Sequence, residues 1–136
     1  MARGTTQIEL EMYAALEELM GGMITGTFYP SDLRPLDANT EDAVLTVSNV
    51  TAAQIQEGRA RLNIYVPDID NGGMSLVPDK ARLMELEKMT DKVVETLNEA
   101  DTAYIFDLFQ ATATIAVPGK SEHFLNIGIH FKLANI

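Results

Sequence analysis

Three groups of residues in this sequence are of types that could do chemistry. The first group resembles a phosphate-binding loop. Gly119, Lys120 and Ser121 match the end of a P-loop, in which backbone N–H groups cradle phosphates and the lysine reaches them. That motif needs another glycine five residues before Gly119, where this chain has Thr114, and it needs a helix afterwards. A strand pattern follows instead, so we interpret this stretch as a turn.

The second stretch is an acidic loop that resembles the start of a calcium site. Asp68 and Asp70 would supply oxygen ligands at positions one and three, and Gly73 stands at position six. Position five is Gly72, which has no oxygen donor in its side chain, and position twelve is Asp79 in place of a bidentate glutamate. These departures favour a solvated acidic turn before a helix. Whether this loop binds an ion stays open, and we predict no cofactor.

The third group is the two histidines. His123 lies near a predicted turn, and His130 falls on the polar side of a predicted strand. The chain has no cysteine and no pair of histidines at metal-ligand spacing, so we predict surface positions and no metal. A Ser–His–Asp triad stays open because its members may be distant in sequence, although no nucleophile-elbow pattern indicates one. The residues therefore predict a protein that is not an enzyme.

Composition restricts the class of protein further. The chain has 136 residues, 46% of them hydrophobic and 22% charged, which predicts a single domain over residues 1–136 with one core. Its formal net charge of −10 argues against a protein that grips nucleic acid, but not against a surface that DNA passes. We find neither a signal-peptide pattern nor an apolar stretch that could span a bilayer, so no membrane role is expected.

Hydrophobic periodicity predicts the elements that position these groups. Apolar residues at helical spacing predict a first helix over residues 6–20, with Thr6 and Glu9 as a capping box. Further signals predict a short strand, an exposed polar loop, two strands and a second helix, over residues 23–29, 30–42, 43–50, 59–66 and 79–99.

The last part of the chain, residues 102–136, predicts one long antiparallel hairpin. In its second strand, apolar residues alternate strictly with polar ones from Leu125 to Leu133, which specifies the buried face. Its first strand is apolar on both faces, so either both faces are covered or one is an interface. Tyr104, Phe106 and Leu108 occupy one of those faces, and Ile105 and Phe109 occupy the other.

The fold class predicted is α+β, with a mostly antiparallel sheet of about four to five strands and two main helices packed on it. The segment Ala60-Arg61-Leu62-Asn63-Ile64-Tyr65-Val66-Pro67 leads through the acidic loop into the second helix. This order of elements resembles the tail terminator, or tail-completion, proteins of long-tailed bacteriophages and prophages. The resemblance covers nearly the whole chain in element order and is strongest over residues 59–136.

The resemblance implies a subunit of a ring, typically a hexamer, that ends the tail tube and joins tail to head. Its partners would be copies of itself, tail tube proteins and head-connector proteins, with DNA only as passing cargo. It would be a virion component assembled in the cytoplasm of the bacterial host. Subunit contacts could come from the Arg59, Arg61 and Tyr65 face or from the strand with Tyr104, Phe106 and Leu108; packing beneath a helix or loop is the alternative for each.

Other classes of function stay open. A neighbouring neck or head-completion protein would also use small α+β subunits in rings. A domain that binds a small ligand predicts a dry pocket between helices and sheet with a few converging polar groups. A hydrolase predicts a cluster of perturbed carboxylates or histidines in a cleft.

Overall fold

The computed structural model describes residues 2–135 and shows a two-layer α+β fold, as predicted. Three helices cover one face of a six-stranded sheet. None of the described helices is both long enough and apolar enough to cross a membrane. In chain order the elements are α1 (Thr5–Met23), β1 (Phe28–Pro30), β2 (Asp42–Ser48), β3 (Ile55–Pro67), α2 (Lys80–Glu87), α3 (Thr90–Ala100), β4 (Tyr104–Leu108), β5 (Ala113–Ala116) and β6 (Glu122–Ala134).

The sheet is built around the long antiparallel pair of β3 and β6. Its strand order is β1-β2-β3-β6-β4, and β5 pairs with β6 beyond the end of β4. Every pairing is antiparallel except that of β1 with β2. The predicted final hairpin is confirmed, but its first strand is interrupted at residues 109–112, which raises the number of strands to six. Ile136, which the predicted hairpin includes, lies outside the described residues.

The core lies between the sheet and the helices. Because β3 and β6 alternate strictly, each buries every second side chain on the helix side, where Leu62 and Ile127 are fully buried. Burying such a side chain stabilises the fold by roughly 1.5–3 kcal/mol. The helices contribute a matching apolar side that includes Ile8, Met12, Leu16, Met20, Leu83, Leu86, Val93 and Leu97.

The first helix differs from its prediction at both ends. It begins at Thr5, with Gly4 as its N-cap residue and no side-chain capping bond, so the capping box of Thr6 and Glu9 is wrong. It continues through both glycines to Met23, because Met20 and Met23 pack into the core. The strand expected from residue 23 therefore forms only at Phe28–Pro30.

The second predicted helix is broken into α2 and α3. Asp79 caps α2 by accepting a hydrogen bond from the backbone N–H of Arg82 at 3.2 Å. At the break, the hydroxyl of Thr90 donates to the carbonyl of Glu87 at 2.8 Å. A side-chain bond of this kind competes with helical backbone bonds, which accounts for the break between α2 and α3.

Candidate functional site on the outer face of the sheet

The face of the sheet opposite the helices, which we call the outer face, carries the residues best placed to meet a partner. Arg59, Arg61 and Tyr65 of β3 lie on it, as the alternation predicts, because their neighbours Ala60, Leu62 and Ile64 are fully buried on the helix side. Side chains of β6 lie beside them, namely Phe124, Asn126, His130 and Lys132.

The other predicted contact strand faces inwards. Tyr104 and Phe106 are each only 4% exposed, and they pack in the core beneath α1 and α3 with Phe131. Leu108 is partly buried against the same core. These three side chains therefore pack beneath helices, which was the alternative to a subunit contact. Of this strand, it is Ile105, 66% exposed, that presents an apolar side chain to solvent.

Two arginines enclose an aromatic ring near the middle of the outer face. The guanidinium carbon of Arg59 lies 4.6 Å from the ring centroid of Phe109, and that of Arg61 lies 5.3 Å from it. Both distances are within the range of cation–π attraction. We call Arg59, Arg61 and Phe109 the arginine clamp.

Gly128 provides the space for this clamp. A Cβ atom at Gly128 would come within 2.6 Å of the Phe109 ring, so only glycine lets the ring approach β6 this closely. The backbone N–H of Phe109 donates to the carbonyl of Gly128 at 3.2 Å and fixes the chain there. The sequence signal for such a close approach is a glycine on the polar side of an alternating strand.

An amide network holds Arg61 in place. The side-chain oxygen of Asn126 accepts bonds from Arg61 at 3.1 Å and from Gln110 at 2.9 Å, while its amide group donates to Asn63 at 2.9 Å. No carboxylate of the described residues lies within 4.0 Å of either clamp arginine. The clamp therefore presents two positive charges that no described carboxylate pairs with, in a chain of net charge −10.

The loop of residues 31–41 packs against one end of the outer face through Arg34. The Arg34 side chain is 9% exposed, stacks on Tyr65 at 4.1 Å, and forms ion pairs with Asp42 at 3.0 Å and Glu122 at 3.1 Å. Lys120 adds a second pair to Glu122 at 3.0 Å and donates to the carbonyl of Ala38 at 2.6 Å. Most of this loop is exposed, as predicted, and Arg34 is the side chain that anchors it to the sheet.

Both carboxylates of this cluster are held in their charged form. Burial acts to raise the pKa of Asp42, but hydrogen bonds from the Thr27 backbone, the Thr40 hydroxyl and Arg34 outweigh it and lower that pKa. Burial likewise acts to raise the pKa of Glu122, and Arg34 and Lys120 outweigh it. The cluster is satisfied within the chain and stabilises the loop.

Each histidine is paired with an aspartate that sequence reasoning had not linked to it. His123 Nδ1 lies 2.7 Å from an Asp68 oxygen, and His130 Nδ1 lies 3.0 Å from an Asp107 oxygen. A hydrolytic triad also needs a hydroxyl that hydrogen-bonds to the histidine. In the part of the chain that the structure describes, no serine or threonine hydroxyl makes such a bond to His123 or His130.

The acidic loop that resembled a calcium site directs its side chains to separate partners. Asp68 contacts His123, Asp70 accepts a bond from the Gly72 backbone at 2.8 Å, and Asp79 caps α2. No set of three or more metal-ligand side chains converges within residues 2–135.

A cleft of about 390 Å³ between α1 and α3 is the feature closest to a pocket between helices and sheet. Its polar groups are already bonded to each other: the hydroxyl of Tyr104 donates to Glu11, which also pairs with Arg3 at 2.8 Å. Burial, followed by the contact with Glu11, raises the pKa of Tyr104, so its hydroxyl stays protonated. The cleft therefore leaves few polar groups for a ligand.

Comparison with known proteins adds no relative to this description. No protein-family model matches the chain. No curated protein matches it significantly.

Proposed function

We propose that this chain is a structural assembly protein of a phage or prophage, a ring subunit that ends the tail tube and joins tail to head. The order of its elements supports this proposal through the resemblance described above. The observation that carries it is the arginine clamp: two exposed or half-buried arginines around an aromatic ring, without a carboxylate in the described residues.

The composition of the outer face suits an interface between proteins. Arginine and aromatic residues are enriched where proteins meet, and arginine is among the residues that contribute most to binding. The outer face combines the clamp with Tyr65 and Phe124, whose rings are 5.3 Å apart. A partner that covers this face would supply carboxylates to Arg59 and Arg61, which have none within 4.0 Å in the described residues.

The net charge of −10 suits the passage of DNA. An acidic lumen repels the phosphate backbone, so DNA would move through a ring of such subunits without being held. In this proposal DNA is cargo, and the binding partners are further copies of the chain, the tail tube and the head connector. The protein would assemble in the bacterial cytoplasm and remain in the virion.

Ring formation in solution is the first test. Light scattering over a wide concentration range should show a species of about six subunits, and negative-stain images should show rings. A monomer at every concentration would count against the proposal. Adding tail tube protein then separates a terminator from a neighbouring neck protein, since only a terminator should stop tube growth.

The cleft between α1 and α3 supports a second candidate, the binding of a small apolar ligand. Its lining is mainly apolar and includes Met12, Ala15, Leu97 and Phe106. A thermal-shift screen tests this candidate, with Ala15→Trp as the variant that fills the cleft. A ligand that raises the melting temperature of the wild type but not of Ala15→Trp would favour the binding domain over the ring subunit.

A further inference from the structure

We propose that the arginine clamp of one subunit binds the acidic solvent side of α1 of a second copy, so that copies join head to tail. This inference rests on the proposed function and names the surfaces that would build the ring. It is drawn from charges, exposure and layer geometry in this chain.

The other arginines of the chain show which chemical group an arginine side chain binds in this protein. Arg3, Arg34 and Arg82 each pair with a carboxylate, at 2.8 Å from Glu11, 3.0 Å from Asp42 and 2.6 Å from Glu41 respectively. Carboxylates match the planar fork of donors on a guanidinium group. Only Arg59 and Arg61, among the arginines of the described chain, have no such partner, so we expect carboxylates from outside the subunit.

Helix α1 offers those carboxylates on its solvent side. The helix Thr5–Met23 contains four glutamates and neither lysine nor arginine. Glu17 and Glu18 are exposed, and no cation of the described residues lies within 4.0 Å of either. Leu10, 50% exposed, and the exposed Ala14 add apolar area on this side. The charge of this surface is opposite to that of the clamp.

The position of the two surfaces determines the kind of assembly. The clamp lies on the outer face of the sheet and α1 lies on the opposite layer, so one subunit cannot bring both surfaces to the same neighbour. In a two-fold dimer, each subunit would have to present both surfaces to the same partner. A head-to-tail contact instead repeats from copy to copy and closes into a ring if the rotation between copies allows it. A stable contact takes about 800 Å² from each partner. That is about a tenth of the 7598 Å² accessible surface of the subunit.

Nucleic acid is the competing occupant of a face with arginines and aromatic rings. The net charge of −10 opposes it, because the field of the whole chain repels phosphates. The nearby Glu57 and Asp107 of the outer face add local negative charge. A second copy carries the same net charge, so the choice rests on local chemistry: it offers the exposed carboxylates of Glu17 and Glu18, and carboxylates are the groups that the other arginines of this chain bind.

A charge-swap experiment tests this contact. The variant R59E/R61E makes the clamp acidic, and E17K/E18K makes the α1 surface basic. Each variant alone should lose the ring mass seen for the wild type, with an apparent dissociation constant raised roughly 30-fold or more. Mixed in equal amounts, the two variants should recover the ring mass, because the acidic clamp of one then meets the basic helix of the other. Such rings would alternate the two variants.

The matched control is K80E/K88E, which reverses two exposed lysines, one at the start of α2 and one at its C-cap, that have no ion pair in the described residues. It changes the net charge by the same amount as R59E/R61E, so unchanged ring mass for the control shows that position matters rather than total charge. Circular dichroism and urea unfolding of every variant confirm that it is folded. If a double variant does not fold, the single changes R59E and E17K take its place.

The outcomes separate this inference from the proposed function. Wild-type rings that R59E/R61E leaves intact would overturn this contact while the ring subunit stands, and so would variants that fail to recover mass when mixed. A wild type that is monomeric at every concentration would count against both. Binding of a single-stranded oligonucleotide that R59E/R61E abolishes would overturn this contact and assign the face to nucleic acid.

Discussion

The outer face of the sheet has two arginine sites with opposite surroundings. Arg34, at one end, is buried between Asp42 and Glu122, and its cluster is neutralised within the chain. Arg59 and Arg61, nearer the middle, contact Phe109 and amide groups and have no carboxylate within 4.0 Å in the described residues. The same residue type therefore has two kinds of surroundings: the first site fixes a loop, and the second is the one for which we propose a partner.

Ion pairing, rather than charge alone, distinguishes the structural Arg34 from the two arginines for which we propose an interface. At the Arg34 site, removing one partner would leave buried charges without compensation. At the clamp, the guanidinium groups still reach solvent, so their removal leaves no buried charge. Stability and association should consequently respond to different substitutions.

The largest effect is expected for R34A. Two carboxylates whose side chains are 2% and 0% exposed would lose a shared cation, which typically costs about 3–5 kcal/mol of unfolding free energy. Urea denaturation measures the loss. A cost below about 1 kcal/mol would show that Lys120 and the threonine bonds suffice for these carboxylates, and the contrast between the two sites would fail.

A smaller effect is expected from acid. The pKa values of Asp42 and Glu122 are lowered in the folded chain, so their contribution to stability is complete above the unfolded values of about 3.9 and 4.3. It should be lost as pH falls from there through the lower folded pKa values. The urea midpoint measured against pH should show this loss for the wild type and for R59A/R61A alike. An R34A variant should show a weaker dependence, since the ion pairs are already gone.

The substitution Gly128→Ala tests how firmly the Phe109 ring is packed in the arginine clamp. The new methyl group would collide with the Phe109 ring, which must then move away from Arg59 and Arg61. Because Phe109 lies in a half-exposed segment that can shift, the cost should be about 1 kcal/mol. Gly58→Ala is the comparison: its methyl group would meet the fully buried Phe131, so it should cost more. Equal costs would mean that Phe109 is packed as firmly as the core.

The smallest stability effect is expected for R59A. Arg59 is exposed and contributes one cation–π contact, so the free energy of unfolding should change by less than about 1 kcal/mol. Its effect should instead be seen in the mass of the assembly. Thermal and urea unfolding with light scattering on the same samples checks both parts. A larger stability loss than that of R34A would reverse the comparison.

The sequence predicted the regular parts of this molecule and missed the contacts between distant segments. Strict alternation in β3 and β6 correctly assigned Leu62 and Ile127 to the core and Arg59 and Arg61 to the outer face, because one periodicity determines both. The bond from Arg34 to Glu122 joins positions 88 residues apart. Nothing local specifies it, since it depends on how β2 and β6 are placed by the whole sheet.

Contacts in the folded chain also explain two other features that the sequence did not predict. These are the ends of α1 and the pairing of each histidine with an aspartate. Helix α1 passes through Gly21 and Gly22 because the burial of Met20 and Met23 outweighs the weak helix preference of glycine. His123 meets Asp68 only because the register of β3 with β6 places Val66 opposite His123. The role as a ring subunit of a tail terminator stays a prediction from element order and from the unpaired clamp.

Assembly through the clamp is tested first by the solution mass of the wild type and of R59E/R61E, measured side by side over the same concentrations, with a urea midpoint for each. We expect a ring for the wild type, a monomer for the variant and closely similar midpoints. A variant that forms the same ring as the wild type would contradict this expectation, because the clamp would then contribute nothing to assembly.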